Sequence, residues 1–471
     1  MESTMFNFTA AYTDLYELTM GQAFFLAGRK DEPAVFDYFF RKNPFEGGYT
    51  VFAGLPDLLA VLENFRFDKS DLEFLKAHSF DPAYLAYLEN FSFKGTIYAP
   101  PEGDLVFPTR PILRVEGNLI ETQLVETVVL NILNFQSLIA TKASRMRLAA
   151  GDGVLIDFGL RRAQGPGGYY ASRAAVIGGF DATSNVRAAR DYHLQASGTM
   201  AHSYVQSHDS EIEAFRSFAA ARPEDCVLLV DTYNTLESGL PNAIAVAKEM
   251  EKKGRRLKGI RLDSGDLAYL SKKSRAMLDQ AGLHHVKIAA SNQLDEYVIR
   301  SLRAQGAPID AFGVGTSLVT GQPDAALDGV YKLAQADHRP VIKISENVSK
   351  ITLPDKKQVW RAINDDGLFA GADAIGLEDE TSIPEIHHPF IPHQSFVIEL
   401  YDTEPLLHRV MDQGKGVYDP PPLSQTAQYA RERLEMLPAE YKRFENPHIY
   451  KVGISSRLKD LRDRLIVQHK E

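Results

Sequence analysis

Between residues 154 and 335 the chain alternates short apolar β-type runs with helical stretches, and this rhythm limits the possible folds more than any other feature. Strand followed by helix, repeated, is the pattern of a parallel sheet whose crossovers are helices. Eight runs fit a strand: Val154–Phe158, Ala175–Gly179, Ala196–Met200, Val227–Asp231, Gly259–Asp263, Val286–Ala290, Ala311–Gly315 and Val330–Ala334. Helical periodicity falls at 184–192, 208–221, 240–253, 266–281 and 293–305. Eight strands predict an α/β architecture closed as a (β/α) barrel. The segment is shorter than the roughly 250 residues of a regular barrel, so the barrel should be irregular.

The flanks lack this rhythm. Thr13-Asp14 precedes a helical series, Phe36–Phe40 alternates as a strand, and residues 118–150 carry long helical periodicity. Beyond the barrel, 341–360 and 389–400 read as strands, and 424–436 and 455–468 as helices. The expected organisation is an α+β segment over 1–140, the barrel over 141–338, and a tail over 339–471. The two flanks should form one discontinuous α+β second domain.

With 471 residues, 44% of them hydrophobic, the chain can bury a large core. Its net charge of −10 argues against nucleic acid as a partner, since a basic face supplies that affinity. The single cysteine, Cys226, lies in an apolar run and reads as core. No basic-then-apolar leader pattern opens the chain, and no membrane-spanning run is read, so the expected compartment is the cytoplasm. GxxxxGK[ST], HExxH and CxxC motifs are absent, and Gly313-Val314-Gly315 lacks the third glycine of a dinucleotide fingerprint.

Polar residues cluster where the runs end, the face on which such barrels carry their active sites. Any one of them could be a helix cap; six together predict a converging site. Phe158 beside Arg161 and Arg162 suits a flat anion, the ring stacking and the guanidinium meeting the charge. Arg261 and Asp263, two apart in a strand, point to one side and could serve a phosphate, a ribose or a metal. His202 ends the third run, and an imidazole there can accept a phosphoryl group. Gly315-Thr316-Ser317 closes the seventh, where barrels often hold phosphate.

These segments, in this order, resemble the nicotinate phosphoribosyltransferase family. The matching stretches include TDLYELTM (13–20), FDYFFRKNPF (36–45), DFGLRRAQGPGG (157–168), GGFDATSN (178–185), GTMAHS (198–203), RLDSGDL (261–267) and FGVGTSLVT (312–320). The resemblance implies a homodimer that converts nicotinate and phosphoribosyl pyrophosphate to nicotinate mononucleotide and pyrophosphate, with Mg²⁺ bound. It also implies coupled ATP hydrolysis through a phosphorylated histidine, matched by His202. The ring would lie between Phe158 and a Tyr16 donated by the neighbouring subunit. Arg161, Thr199 and Arg261 match base-pocket and anchoring positions. Asp231 and Asp263 match acids near the ribose and Mg²⁺, the metal being held at Asp263 mainly through the substrate's pyrophosphate. Gly315 and Thr316 match the ribose-phosphate cradle, and Arg41 and Lys332 match contacts to pyrophosphate or ATP phosphates. Asp181 and Ser184 both fall where base choice would be set. The alternatives are a nicotinamide or quinolinate phosphoribosyltransferase, or a non-catalytic nucleotide-binding barrel.

Overall fold

A computed structural model describes residues 8–469. By its contacts the chain forms two compact units, one of residues 142–325 and one joining 1–141 with 326–471.

The first unit is built on a six-stranded parallel sheet: β1 (Val154–Asp157), β2 (Ala182–Thr183), β3 (Val227–Leu229), β4 (Gly259–Leu262), β5 (Lys287–Ser291) and β6 (Ala311–Val314). The spatial order is β2-β1-β6-β5-β4-β3, so the first strand of the unit pairs with the last, Ala311 opposite Val154 and Gly313 opposite Ile156. A single parallel bridge adds Ala196 beside Thr183. One face of each strand is packed under helices: Leu155, Leu228, Ile260, Ile288, Phe312 and Val314 are all fully buried. Helices Glu211–Ala221, Leu240–Lys252, Leu267–Gln280 and Glu296–Ala304 follow the predicted periodicity. Side chains at the N-caps of four helices accept backbone N–H groups, Asn185 from Ala188, Ser210 from Glu213, Asp266 from Tyr269 and Asp295 from Val298. Behind the sheet, the fully buried Glu296 meets Lys142 at 2.5 Å and Arg145 at 2.9 Å.

Three of the eight expected strands fall elsewhere. Ala175–Gly179 belongs to the end of helix Gly167–Ile177 and the turn after it. A short apolar run does not distinguish strand from buried helix, and here Ala171, Ala174 and Ala175 recur at helical spacing on a buried face. Ala196–Met200 makes only the bridge at Ala196. Val330–Ala334 is a strand (Gly329–Ala336), but it runs antiparallel to Pro33–Phe40 in the other unit. Lys332, opposite Asp37 in that ladder, is therefore a residue of the flanking unit.

The flanking unit holds a seven-stranded sheet that includes Pro33–Phe40 and a six-stranded sheet built from the tail. The tail's 341–356 stretch is largely irregular, and its long strands are Lys357–Ile363 and Phe369–Leu377. Buried ion pairs tie this unit together: Arg361 meets Asp104 at 2.8 Å and Asp373 at 3.0 Å, all three fully buried. Residues 119–150 are long and apolar enough to cross a membrane, but 72% of that apolar window is buried inside the protein.

Glu17, in helix Leu15–Leu26, is fully buried and accepts the Thr127 hydroxyl at 2.5 Å and that of Thr13. Burial outweighs these hydrogen bonds and pushes its carboxyl up to about 7. A raised acid favours the folded state while protonated, so this contribution is present below the unfolded value of 4.5 and is lost as pH rises through about 7. Glu17→Gln should flatten the thermal midpoint against pH between about 4.5 and 7. An unchanged slope in that window would show that Glu17 does not govern it.

Candidate functional site

The face of the parallel sheet away from the helices carries mostly small residues. On it stand Ile156, Gly259, Ala289, Ala311 and Gly313, and Val154 is 43% exposed. They line a cavity of about 770 Å³ that runs along the strands, with Asp152, Lys258, Lys287 and Asp310 toward the amino ends and Phe158, Thr199 and Arg261 toward the carboxyl ends.

Phe158 is held from behind. Its N–H bonds the Val314 carbonyl at 2.8 Å, and a Cβ on Gly313 would lie 2.3 Å from its ring, so only glycine fits there. The preceding Asp157 is buried and accepts three donors: Gly159 N–H at 2.8 Å, Ser172 Oγ at 2.7 Å and Thr183 Oγ1 at 2.7 Å. Burial still raises its carboxyl above the usual range.

Arg261 reaches across from β4, its guanidinium carbon 6.0 Å from the centre of the Phe158 ring. One nitrogen donates to Thr199 Oγ1 at 2.6 Å, while Nε is buried with no hydrogen-bond partner among the described residues. A buried donor left unmatched costs free energy unless a ligand meets it. Desolvation lowers the Arg261 pKa, Asp263 and Asp231 oppose that, and Arg161 adds to it. Arg161 and Arg162, which follow Phe158 in sequence, are solvent-exposed, and Arg261 is the guanidinium whose distance to the ring is 6.0 Å.

The two residues proposed for base choice separate. Asp181 sits toward the amino end of β1, where its carboxylate pairs with Arg147 at 2.5 Å and accepts the Leu155 N–H at 2.7 Å. Ser184 lies at the carboxyl end, its N–H on the Asp157 carbonyl at 2.8 Å, next to Phe158.

The acids and the histidine form one polar chain beyond β3, β4 and β5. His202 opens the short helix His202–Gln206; its Nδ1 lies 3.1 Å from Thr232 Oγ1 and its Nε2 3.7 Å from Asp263 Oδ2. Asp263 accepts from Ser291 Oγ through its other oxygen. Asp231 Oδ2 accepts the Asp263 N–H and the Ser264 hydroxyl, each at 2.7 Å, and its buried Oδ1 has no partner among the described residues. In the sequence Thr232 and Ser291 are marked only as members of the polar clusters after their strands, with no individual role. Gly315 and the exposed Thr316 follow β6, and a Cβ on Gly315 would meet Phe158 at an ordinary 3.5 Å, so packing does not demand that glycine.

Tyr16, Arg41 and Lys332 belong to the flanking unit. Tyr16 is 45% exposed on the first turn of its helix. The Arg41 guanidinium lies 5.6 Å from the Phe39 ring, and its Nε is buried without a hydrogen-bond partner among the described residues. Among the described residues no cluster of three or more His, Cys, Asp or Glu has the arrangement of a metal site.

Family models match the chain along most of its length: the nicotinate phosphoribosyltransferase N-terminal domain over 12–134, the family itself over 154–389, and the C-terminal domain over 356–462. The chain belongs to the nicotinate phosphoribosyltransferase family. It is 45% identical to a nicotinate phosphoribosyltransferase of Bacillus subtilis across 94% of this chain and 92% of that one. The structure of the human nicotinic acid phosphoribosyltransferase superposes with a TM-score of 0.86 at 32% identity, over 96% of this chain and 99% of that one. A nicotinate-nucleotide pyrophosphorylase of Pyrococcus furiosus shares the fold, with a TM-score of 0.72 at 23% identity over 92% and 99% of the two chains.

Asp157 tests how the ring is held in this family member. Asp157→Ala leaves three donors unmet and should lower unfolding free energy by about 3 kcal/mol. Asp157→Asn can re-pair with the hydroxyls of Ser172 and Thr183 and should cost under about 1 kcal/mol. Equal losses in denaturant melts would rule out hydrogen bonding as the reason.

Proposed function

We propose that this chain joins nicotinate to phosphoribosyl pyrophosphate, giving nicotinate mononucleotide and pyrophosphate. The observation that carries this reading is the buried, unmatched Arg261 Nε near the Phe158 ring, toward the carboxyl ends of a parallel sheet. A flat ring with a carboxylate satisfies both groups at once, by stacking and by a charge-assisted hydrogen bond. Nicotinamide has no charge to offer Arg261, and Asp181, the acid near the base-choice segment, is already bound by Arg147. The six-stranded sheet is read as an irregular barrel with the discontinuous second unit as its flanking domain. Two chains pair so that Tyr16 of one covers the ring on the other, in the cytoplasm.

The pyridine nitrogen attacks the ribose C1; the new N–C bond forms as the bond to pyrophosphate breaks. The nitrogen is already a nucleophile and needs no general base. The chain's contribution is orientation and stabilisation of the departing charge. Phe158, Thr199 and Arg261 set the ring, with Arg161 and Ser184 at the edge of its site. Gly315 and Thr316 cradle the ribose phosphate, and Arg41 and Lys332 take pyrophosphate or ATP phosphates. Asp231 and Asp263 suit Mg²⁺ carried on phosphates, since that ion takes one or two carboxylates beside substrate oxygens, and Asp231 Oδ1 is unmatched. When bound, Mg²⁺ neutralises charge building on the pyrophosphate.

ATP couples through His202. A proton on Nδ1, directed at Thr232, leaves the Nε2 lone pair to attack the terminal phosphorus as ADP departs. The added charge would order the surrounding loops.

Purified protein with Mg²⁺, phosphoribosyl pyrophosphate and labelled nicotinate should form the mononucleotide, faster with ATP, and nicotinamide should not replace nicotinate. His202→Ala should keep basal transfer and lose the ATP response; a mutant that answers ATP like its parent would remove His202 from that role. No product from either base would overturn the reaction itself.

Phe158→Ala should raise the KM for nicotinate roughly tenfold, about 1.4 kcal/mol, and that for phosphoribosyl pyrophosphate far less. Equal rises would make Phe158 structural.

A further inference from the structure

Two serine hydroxyls tie the loop after β5 to groups on either side of it. Ser291 ends β5 and is 3% exposed. Its Oγ donates to Asp263 Oδ1, on the loop after β4. The Asp263 N–H is held by Asp231 at 2.7 Å, so the backbone and one oxygen of this acid are both fixed. Its other oxygen, Oδ2, is left toward His202 Nε2 at 3.7 Å. Further along the loop, the Leu294 carbonyl accepts the Ser317 hydroxyl. Ser317 lies on the short helix Thr316–Val319, directly after Gly315.

The loop between these two bonds is held at both ends. Ser291 pairs with Gly313 of β6 in the parallel ladder. Leu294 is buried, and Asp295 caps the next helix by accepting the Val298 N–H at 2.7 Å. Between them Asn292 and Gln293 both take left-handed backbone, with φ of 82° and 50°. Such backbone at two successive residues other than glycine is unfavourable, and it persists where the surrounding contacts leave no alternative. All of these residues belong to the unit of residues 142–325.

We propose that Ser291 and Ser317 are positioning residues that set the span between Asp263, at the pyrophosphate end of phosphoribosyl pyrophosphate, and the Gly315–Thr316 cradle at its ribose phosphate. The inference rests on the roles of Asp263, Gly315 and Thr316 given under Proposed function. The substrate carries phosphates at both ends of one ribose. Once one end is bound, the other meets its site at high effective concentration, provided the two sites stand at the spacing of the ligand. An error of about 1 Å forfeits much of that gain. Neither serine needs to touch the ligand, since the Ser291 hydroxyl is directed at Asp263 and the Ser317 hydroxyl at Leu294.

Ligands that reach one end only separate a span from a simple contact. Ribose 5-phosphate probes the cradle, and pyrophosphate with Mg²⁺ probes the acid, each as an inhibitor of mononucleotide formation at saturating nicotinate. Ser317→Ala frees the cradle from the loop while leaving each end intact. It should raise the phosphoribosyl pyrophosphate KM about tenfold, about 1.4 kcal/mol, and leave both inhibition constants and the nicotinate KM within about twofold. Ser317→Thr keeps the hydroxyl and should restore the parent KM. Ser291→Ala releases the carboxylate, so it should raise the phosphoribosyl pyrophosphate KM and the pyrophosphate inhibition constant together, about fivefold, and spare ribose 5-phosphate. Thermal midpoints are read alongside. An unchanged phosphoribosyl pyrophosphate KM in Ser317→Ala, or a ribose 5-phosphate constant that rises as far as that KM, would overturn the proposal. So would failure of Ser317→Thr to restore it, pyrophosphate inhibition indifferent to Ser291→Ala, or a loss shared by every ligand with a lowered midpoint. The parent enzyme is assayed first; no turnover there overturns the proposed reaction, and this inference with it, whereas an active parent with indifferent variants overturns this inference alone.

Discussion

The Asp157 carboxylate and its three donors are the interaction on which the ring site depends. One oxygen takes the Gly159 N–H and so fixes the turn that presents Phe158. The other takes hydroxyls from Ser172, on the covering helix, and Thr183, on the neighbouring strand. Strand end, helix and adjacent strand are therefore joined behind one aromatic ring. The acid is buried against its own preference for water, since its carboxyl remains raised even with three donors. A hydrophobic residue would fill the same space without that cost, but it would leave the Gly159 N–H unpaired and the direction of the turn undetermined.

Around that ring the sheet does something unusual for its class. Its covered face is packed like any α/β core, with Leu155, Ile260, Ile288 and Phe312 fully buried. Its other face carries Gly259, Ala289, Ala311 and Gly313 among its lining, and the space beside them is bounded at one end by the buried Arg261 guanidinium. Leaving a core unfilled forfeits contacts, and burying an arginine forfeits hydration. Both costs fall on one cavity, at whose carboxyl end Arg261 stands. Asp231 and Asp263 limit the second cost by holding Arg261 charged.

Much of this was legible in the residue pattern, and the failures have physical causes. Strands β1, β3, β4, β5 and β6 and their helices follow from apolar periodicity, because each strand buries one face under a helix. Ala175–Gly179 misled because alanine and valine on a buried helix read like a strand when the run is short. Val330–Ala334 was a strand of the right type in the wrong sheet: local pattern carries no information about the partner, and its partner is Pro33–Phe40, almost 300 residues earlier. Phe158 could be singled out because an aromatic at a strand end is conspicuous. Arg261 was placed at the base pocket, with Arg161, only by the family resemblance; its 6.0 Å approach to the ring depends on the fold, which local pattern does not carry.

The polar residues at the strand ends raised the central ambiguity, because a cap and a catalytic group use the same residue types. The structure divides them by whether their hydrogen-bonding capacity is already used. Asp266 and Asp295 accept backbone N–H groups at the starts of their helices, and Asn185 does the same after β2. Those are caps, and nothing more is required to explain them. Asp231 is different: it bonds a backbone N–H that begins no helix, and one buried oxygen is left over. His202 begins a helix yet caps nothing, and both ring nitrogens face polar side chains. Arg261 ends with a buried donor unmatched. Other buried atoms among the described residues are unmatched as well, on Glu211 and Ser274 in the helices for example, so an unmatched atom alone does not mark a site. Arg261 and Asp231 stand out because both lie at the carboxyl ends of their strands, next to Asp263.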